Sequence, residues 1–410
     1  MRKTLLIVFL VFSFYSIDAQ IVKTGLEVLQ ENNFEILKGK RVGLITNPTG
    51  VNSELESTVD ILFNAPNIKL KALYGPEHGV RGDYSAGDSI GSSKDLKTGL
   101  PVYSLYGKTK KPSKRMLKDI DVLVYDIQDI GSRSYTYIST LGLAMEAAAE
   151  NNIKLVVLDR PNPLGGEKME GMITEPEFIS FVSQFPIPYI HGLTVGELAE
   201  FLNNEKMLKD GIRCDLEVVK MKNWNRSMGF DETGLPWVPS SPHIPRPHSA
   251  IFYPVSGILG ELYVYNIGVG YPLPFELFAT EWIDADKLAA NLNALELPGV
   301  IFRPIHFKPY YSTSKGKLVH GVQVHISDYK KVNLSLIQFY VLQEAHKLWP
   351  EKNVFELCDE SRLSMFDKVS GSDKIRKTFT QRWLVKDIEG MWTKDIEAFR
   401  KRAEKYFLYD

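Results

Sequence analysis

Asp121-Val-Leu-Val-Tyr-Asp-Ile-Gln-Asp129 is the stretch that decides the fold. Its first half is a continuous apolar run without polar alternation, as a strand covered on both faces requires. Its second half turns abruptly to carboxylates and an amide. The same design recurs outward from it. Upstream lie Arg41-Val-Gly-Leu-Ile-Thr46 and Ile68 to Tyr74; downstream lie Lys154-Leu-Val-Val-Leu-Asp159, Ile187 to Ile190 and Leu216 to Val219. Between these runs, Ser57 to Phe63, Ser113 to Lys118, Tyr137 to Glu150 and Thr194 to Asn203 read as helices. Strands alternating with helices predict an α/β fold with a Rossmann-like, doubly wound, mostly parallel sheet.

Pro and Gly then cluster from Thr233 to Pro274. That density of breakers predicts an ordered connection lining a surface, without long regular elements. Beyond it, Trp282 to Asn293 and Leu334 to Trp349 read as helices and Val319 to Ser327 as a strand. This pattern implies a second, smaller α+β domain. We place the catalytic domain at 21–250 and the C-terminal domain at 251–410. Residues 1–20 read as a signal peptide: Arg2 and Lys3 precede an apolar Leu5 to Tyr15, with Ala19 ahead of the cut. Such a run is too short to span a bilayer, and no later segment is apolar for long enough. The expectation is export, to the periplasm or beyond, with no membrane span after cleavage.

Composition narrows the function. The 49 Lys and Arg nearly balance 50 Asp and Glu, for a net charge of −1, which argues against a nucleic-acid partner. Two cysteines, Cys214 and Cys358, are no disulfide framework and read as buried thiols.

In open α/β sheets, ligands bind at the carboxyl ends of the strands. There the chain places Asn47-Pro48-Thr49-Gly50, then Glu77-His78-Gly79-Val80-Arg81 and Gln128-Asp129 through Arg133, Tyr135 and Tyr137. Arg160 and Asn162 follow the fourth run, and His191-Gly192 the fifth. Established signatures are missing. Gly82 to Gly87 has P-loop spacing, but Asp88 stands where the phosphate-binding Lys belongs. No H-E-x-x-H or C-x-x-C occurs, and the histidines are scattered, so neither a metal nor a cofactor is expected. Carboxylates, amides and Tyr rings are the makings of a sugar site. Arg81, Arg133 and Arg160 exceed what a neutral sugar needs. They point to a substrate carboxylate, or else they pair with Asp83, Asp129 and Asp159.

The residues resemble one family closely. Gly43 to Gly50, Pro76-Glu-His-Gly-Val-Arg-Gly82, Asp126 to Gly131, Tyr135 to Ile138, Asp159 to Gly166, Glu170-Gly171, His191-Gly192, Ser241-Pro242, Pro274 to Phe278 and Phe366 to Ser372 match the NamZ-type exo-β-N-acetylmuramidases. The resemblance spans nearly the whole chain after residue 20. It implies removal of terminal, non-reducing β-1,4-linked N-acetylmuramic acid from peptidoglycan-derived oligosaccharides. The alternative is a non-catalytic periplasmic module that binds peptidoglycan or another acidic sugar. Glycoside hydrolysis usually needs two carboxyl groups. Glu77 is the first choice for general acid, and Glu170, then Asp126 and Asp129, for the second role. Tyr137 is a candidate to orient a carboxylate or stabilise charge at the anomeric carbon. His78, Arg81, Asp126, Gln128, Asp129, Arg133, Tyr135, Arg160, Asn162, His191 and Ser241 are the candidate substrate contacts. Two departures stand out. Relatives carry an acidic residue and an arginine in the glycine-rich loop before Pro274, where this chain reads Asn266-Ile-Gly-Val-Gly-Tyr271. His243 replaces a more usual Asn.

Overall fold

The computed structural model describes residues 21–82 and 93–410. The proposed signal peptide, Asp83 and the P-loop-like spacing beyond Gly82 lie outside the described residues.

Among the described residues, seven strands form the larger sheet: β1 (Arg41–Thr46), β2 (Lys69–Gly75), β3 (Ser93–Lys94), β4 (Pro101–Ser104), β5 (Val122–Asp126), β6 (Lys154–Leu158) and β7 (Leu216–Val219), in the order β3-β4-β2-β1-β5-β6-β7. All neighbours pair in parallel except β3 with β4. The chain leaves β1 toward β2 on one side and returns to β5 on the other, so the strand order reverses between β1 and β5. That is where such sheets open a crevice.

The strands are apolar throughout because both faces are covered. Val122 and Val124 of β5 join one core with α1 (Gly25–Glu31) and α2 (Thr58–Asn64), while Leu123 and Tyr125 join the other with α3 (Tyr137–Glu150) and α4 (Val195–Asn204). The helices start where their caps dictate. Thr24 and Thr194 each close a capping box with a Glu three residues on, and Ser57 accepts from the Val59 amide.

Local expectations change at several points. Ile187 to Ile190 is not a strand; Ile190 makes single bridges to Ser132 and Glu170. Pro186 and Pro188 remove two ladder donors, so the segment crosses the strand ends instead of joining the sheet. Ser113 to Lys118 forms turns, closed by Asp119 at φ 62°. The sequence reading did not anticipate β4, a short strand with Pro at its first position, where a missing N–H is tolerated. Most consequential is α5 (Pro247–Gly260), a helix of 14 residues inside the Pro/Gly-rich segment. Pro247 starts the helix where its amide would be unpaired anyway. Pro254 breaks a turn in a helix whose burial outweighs the loss, and its carbonyl accepts from Gln338 Nε2 at 3.1 Å.

The second, smaller domain has an antiparallel sheet of β8 (Leu277–Thr280), β9 (Val300–Phe307) and β10 (Val319–Ile326), with β10 in the middle. Around it pack α6 (Ala285–Asn293), α7 (Ile337–Leu348), α8 (Val354–Leu357), α9 (Glu360–Ser370), α10 (Lys374–Arg382) and α11 (Lys386–Thr393). Finally α12 (Ile396–Ala403) returns to the first sheet, where Phe399 meets Phe201 edge-on at 5.3 Å. The tail follows it: the Tyr409 hydroxyl donates to Asp159 at 2.6 Å. Cys214 and Cys358 are free thiols, the first buried and the second half-buried. Among the described residues, no helix is long and apolar enough to cross a membrane.

Candidate active site

The carboxyl end of β2 sets the key geometry. Gly75 to Gly79 folds into a tight turn, closed by the Gly79 amide donating to the Pro76 carbonyl at 3.0 Å. His78 takes φ 73° and Gly79 φ 76°. Two successive left-handed residues reverse the chain, and a non-glycine in that region is strained unless its surroundings hold it. The turn projects Glu77 and His78 into a cleft of about 1070 Å³ between the strand ends, α5 and α9. Tyr106 faces Glu77 there: burial first, then the Glu77 charge and a hydrogen bond to it, raise the Tyr106 hydroxyl well above its ordinary pKa. His243 lies near both turn residues. Burial and His78 depress its pKa, and Glu77 partly opposes them.

The floor of the cleft is aromatic. Tyr135 stands edge-on to Tyr137 at 4.9 Å and to Tyr253 at 5.7 Å. The Tyr135 hydroxyl bonds Ser240 Oγ at 2.8 Å, and Tyr137 donates to the Ser240 carbonyl. Burial drives both phenols well above their ordinary pKa, so they stay neutral donors. Tyr311 stacks on His243 at 5.7 Å. It comes from the segment whose backbone seals the departed glycine loop: the Tyr310 amide donates to Gly270, and Asn266 Nδ2 to the Thr313 carbonyl. A Cβ on Gly270 would sit 2.1 Å from the Tyr311 carbonyl, so only glycine fits there.

Of the residues singled out from sequence, Glu77, His78, Tyr135, Tyr137 and Ser241 line this cleft. The others are engaged elsewhere. Glu170 is buried and accepts from the Ser335 and Leu334 amides at 2.9 and 3.3 Å, so it anchors the approach to α7. Asp126 is fully buried in an ion pair with Arg160, whose Nη2 also reaches the Val51 carbonyl at 2.9 Å. Arg81 pairs with Asp95 and Asp60. Arg133, fully buried, donates to the carbonyls of Met172, Ile187 and Val369. Gln128 donates to the Pro161 carbonyl and Asn162 to the Leu193 carbonyl. Asp129 accepts from the Gly131 amide at 2.7 Å and lies 3.6 Å from His191 Nε2; both are buried outside the cleft lining. The three arginines are therefore engaged internally, Arg160 with Asp126, Arg81 with Asp95 and Asp60, and Arg133 with main-chain carbonyls, and none of the three guanidinium groups pairs with Asp129 or Asp159.

Sequence reasoning missed Tyr106, Tyr253, Glu261, Tyr311, Arg362 and Lys368, all on the cleft wall. Tyr253 and Glu261 come from the Pro/Gly-rich segment, whose surface-lining character was the available signal. Burial holds the Glu261 carboxyl up to about 7, against a smaller opposing pull from Arg362. Among the described residues, no three His, Cys, Asp or Glu converge as metal ligands.

Known proteins share both the sequence pattern and the architecture. Residues 42–248 match the family model for the N-terminal part of the exo-β-N-acetylmuramidase NamZ, and residues 251–409 match that for its C-terminal part. The peptidoglycan β-N-acetylmuramidase NamZ of Bacillus subtilis (strain 168) is 48% identical over 388 residues, covering 95% of this chain and 91% of that protein. Two crystal structures of DUF1343 family proteins from Bacteroides fragilis NCTC 9343 share the architecture. One has a TM-score of 0.92 at 62% identity, the other 0.76 at 30%, and each match covers 95% of this chain and 99% of the other. With the two family models meeting across both domains, and the motif that carries Glu77 seated in the cleft between them, this chain belongs to the NamZ exo-β-N-acetylmuramidase family.

Proposed function

We propose that the protein is an exo-acting β-N-acetylmuramidase. It hydrolyses the β-1,4 bond of terminal, non-reducing N-acetylmuramic acid in peptidoglycan fragments. The observation that carries this reading is Glu77, a carboxyl group projected into a tyrosine-floored cleft by a strained turn at a strand end. In this role Glu77 gives its proton to the leaving oxygen as the glycosidic bond breaks. Water supplies the hydroxyl that replaces that oxygen at the anomeric carbon, and the proton that water releases restores Glu77. Tyr106, which bonds Glu77, fixes where that proton is presented. Tyr135, Tyr253 and Tyr311 line the cleft and supply aromatic surface for the apolar sides of the sugars. Tyr137, on the same cleft wall, has its hydroxyl bound to the Ser240 carbonyl, which fixes the position of its ring beside Glu77.

The test is release of free N-acetylmuramic acid from N-acetylmuramyl-β-1,4-N-acetylglucosamine, with the reversed disaccharide as control. Glu77→Gln keeps the shape and removes the acid, so turnover falls about 10²–10⁴-fold while the fold is retained. A Glu77→Gln variant of near wild-type turnover refutes the role. A wild-type protein that binds the disaccharide without cleaving it favours the binding-module alternative. We also propose that residues 1–20 direct export, so that wall fragments are trimmed outside the inner membrane. Fractionation of cells that finds the activity confined to the cytoplasm refutes this.

A further inference from the structure

The muramidase reading calls for a group that recognises the lactyl carboxylate, and the arginines expected to do so are engaged elsewhere. Two other cationic side chains line the cleft. On α9, Arg362 and Lys368 line its wall opposite Glu261, the C-cap residue of α5. The Arg362 guanidinium lies 3.8 Å over the Tyr263 ring and 4.0 Å from the Glu261 carboxylate. A 4.0 Å contact is an ion pair without a hydrogen bond, and among the described residues the guanidinium donates to no other group. Stacking on Tyr263 fixes its plane and leaves the donor edge available. Among the described residues, no carboxylate comes within ion-pair reach of Lys368. Glu261 is a poor permanent partner, because burial in the cleft wall disfavours its charge and the carbonyl end of α5 repels it.

From this juxtaposition we infer that Arg362 and Lys368 form the carboxylate subsite: the lactyl carboxylate of the substrate displaces Glu261 from Arg362 and takes a second contact from Lys368. The inference rests on the muramidase reading and assigns its acid-sugar specificity to α9, not to the strand-end arginines. A carboxylate held by a guanidinium edge gains charge-assisted, directional bonds that a neutral sugar cannot match.

The experiment compares kcat/KM for N-acetylmuramyl-β-1,4-N-acetylglucosamine with that for the same disaccharide carrying the lactyl group as its methyl amide. The wild-type preference for the carboxylate should fall about tenfold to hundredfold in Arg362→Met and by a smaller factor in Lys368→Met. Arg362→Lys should recover part of it. Loss of the same factor on both substrates, or an unchanged preference in both methionine variants, overturns the inference. If the wild type cleaves neither disaccharide, the muramidase reading fails on its own, and calorimetric binding of free N-acetylmuramic acid against N-acetylglucosamine judges the subsite. Preference for the acid that Arg362→Met abolishes supports it; equal binding of the two sugars, or of neither, overturns it. Should Arg362→Met fail to fold, Lys368→Met and Arg362→Lys carry the same comparison.

Discussion

Replacing Arg133 with Met separates a structural arginine from a substrate-binding one. The guanidinium is fully buried and donates at 2.7 Å to Met172, 2.6 Å to Ile187 and 2.9 Å to Val369, all main-chain carbonyls, and at 3.2 Å to Ser183 Oγ. These acceptors come from three chain segments, one of them in the C-terminal domain. Burial pulls its pKa down to about 10, so it is still a cation at neutral pH. Methionine fills much of the volume but offers no donor, which strands three carbonyls. Each unsatisfied group costs about 1–2 kcal/mol, since a carbonyl retains a second lone pair, so the loss should be ~3–6 kcal/mol. Relief of the buried cation offsets part of this and favours the lower half of the range. Urea unfolding followed by intrinsic fluorescence measures the loss. The companion assay is kcat/KM on the disaccharide well below the melting midpoint, where it should stay within about threefold of wild type. A variant that keeps its unfolding midpoint but loses kcat/KM by roughly a hundredfold or more refutes the reasoning, and Arg133 would return to the substrate.

Other perturbations follow from the same contacts. Asp126→Asn leaves Arg160 buried without its counter-ion and should cost about 3–5 kcal/mol, whereas the double substitution Asp126→Leu with Arg160→Met should recover most of that in the same urea assay. Burial pushes the Asp159 carboxyl up to about 7 from an ordinary 3.8, against the hydrogen bonds from Tyr409 and Thr194. Between those two values the folded chain holds a proton that the unfolded chain releases. The stability difference is therefore absent below about pH 4 and grows to at most ~4 kcal/mol of lost stability as pH rises through 7. Asp159→Asn should flatten that slope, and unfolding midpoints taken from pH 4 to 8 with an unchanged slope would contradict it.

The layered fold was legible because burial on both faces of a parallel sheet writes itself into consecutive residues. Val122 to Tyr125 must all be apolar when alternate side chains enter different cores. Thr194 and Glu197 likewise mark a helix start within four residues. The sequence also pointed to where Glu77 lies, since a Pro-Glu-His-Gly turn after a strand carries its side chain to the cleft. Pro186 and Pro188 were a local signal against a strand that the apolar pattern outweighed, and α5 shows the converse, prolines tolerated because the helix is buried.

What only the tertiary structure decided is the pairing of charges. Arg160 meets Asp126 across 34 positions, Arg133 meets Val369 across 236, and Glu170 meets Ser335 across 165. A charged side chain reads the same in sequence whether it faces solvent, a substrate or a buried carbonyl. The choice depends on which segments the two cores bring within hydrogen-bond reach of it, and no local pattern encodes that distance. For the same reason the sequence pointed to a carboxylate-binding arginine at the strand ends, while the cleft presents Arg362 and Lys368 from a helix of the other domain.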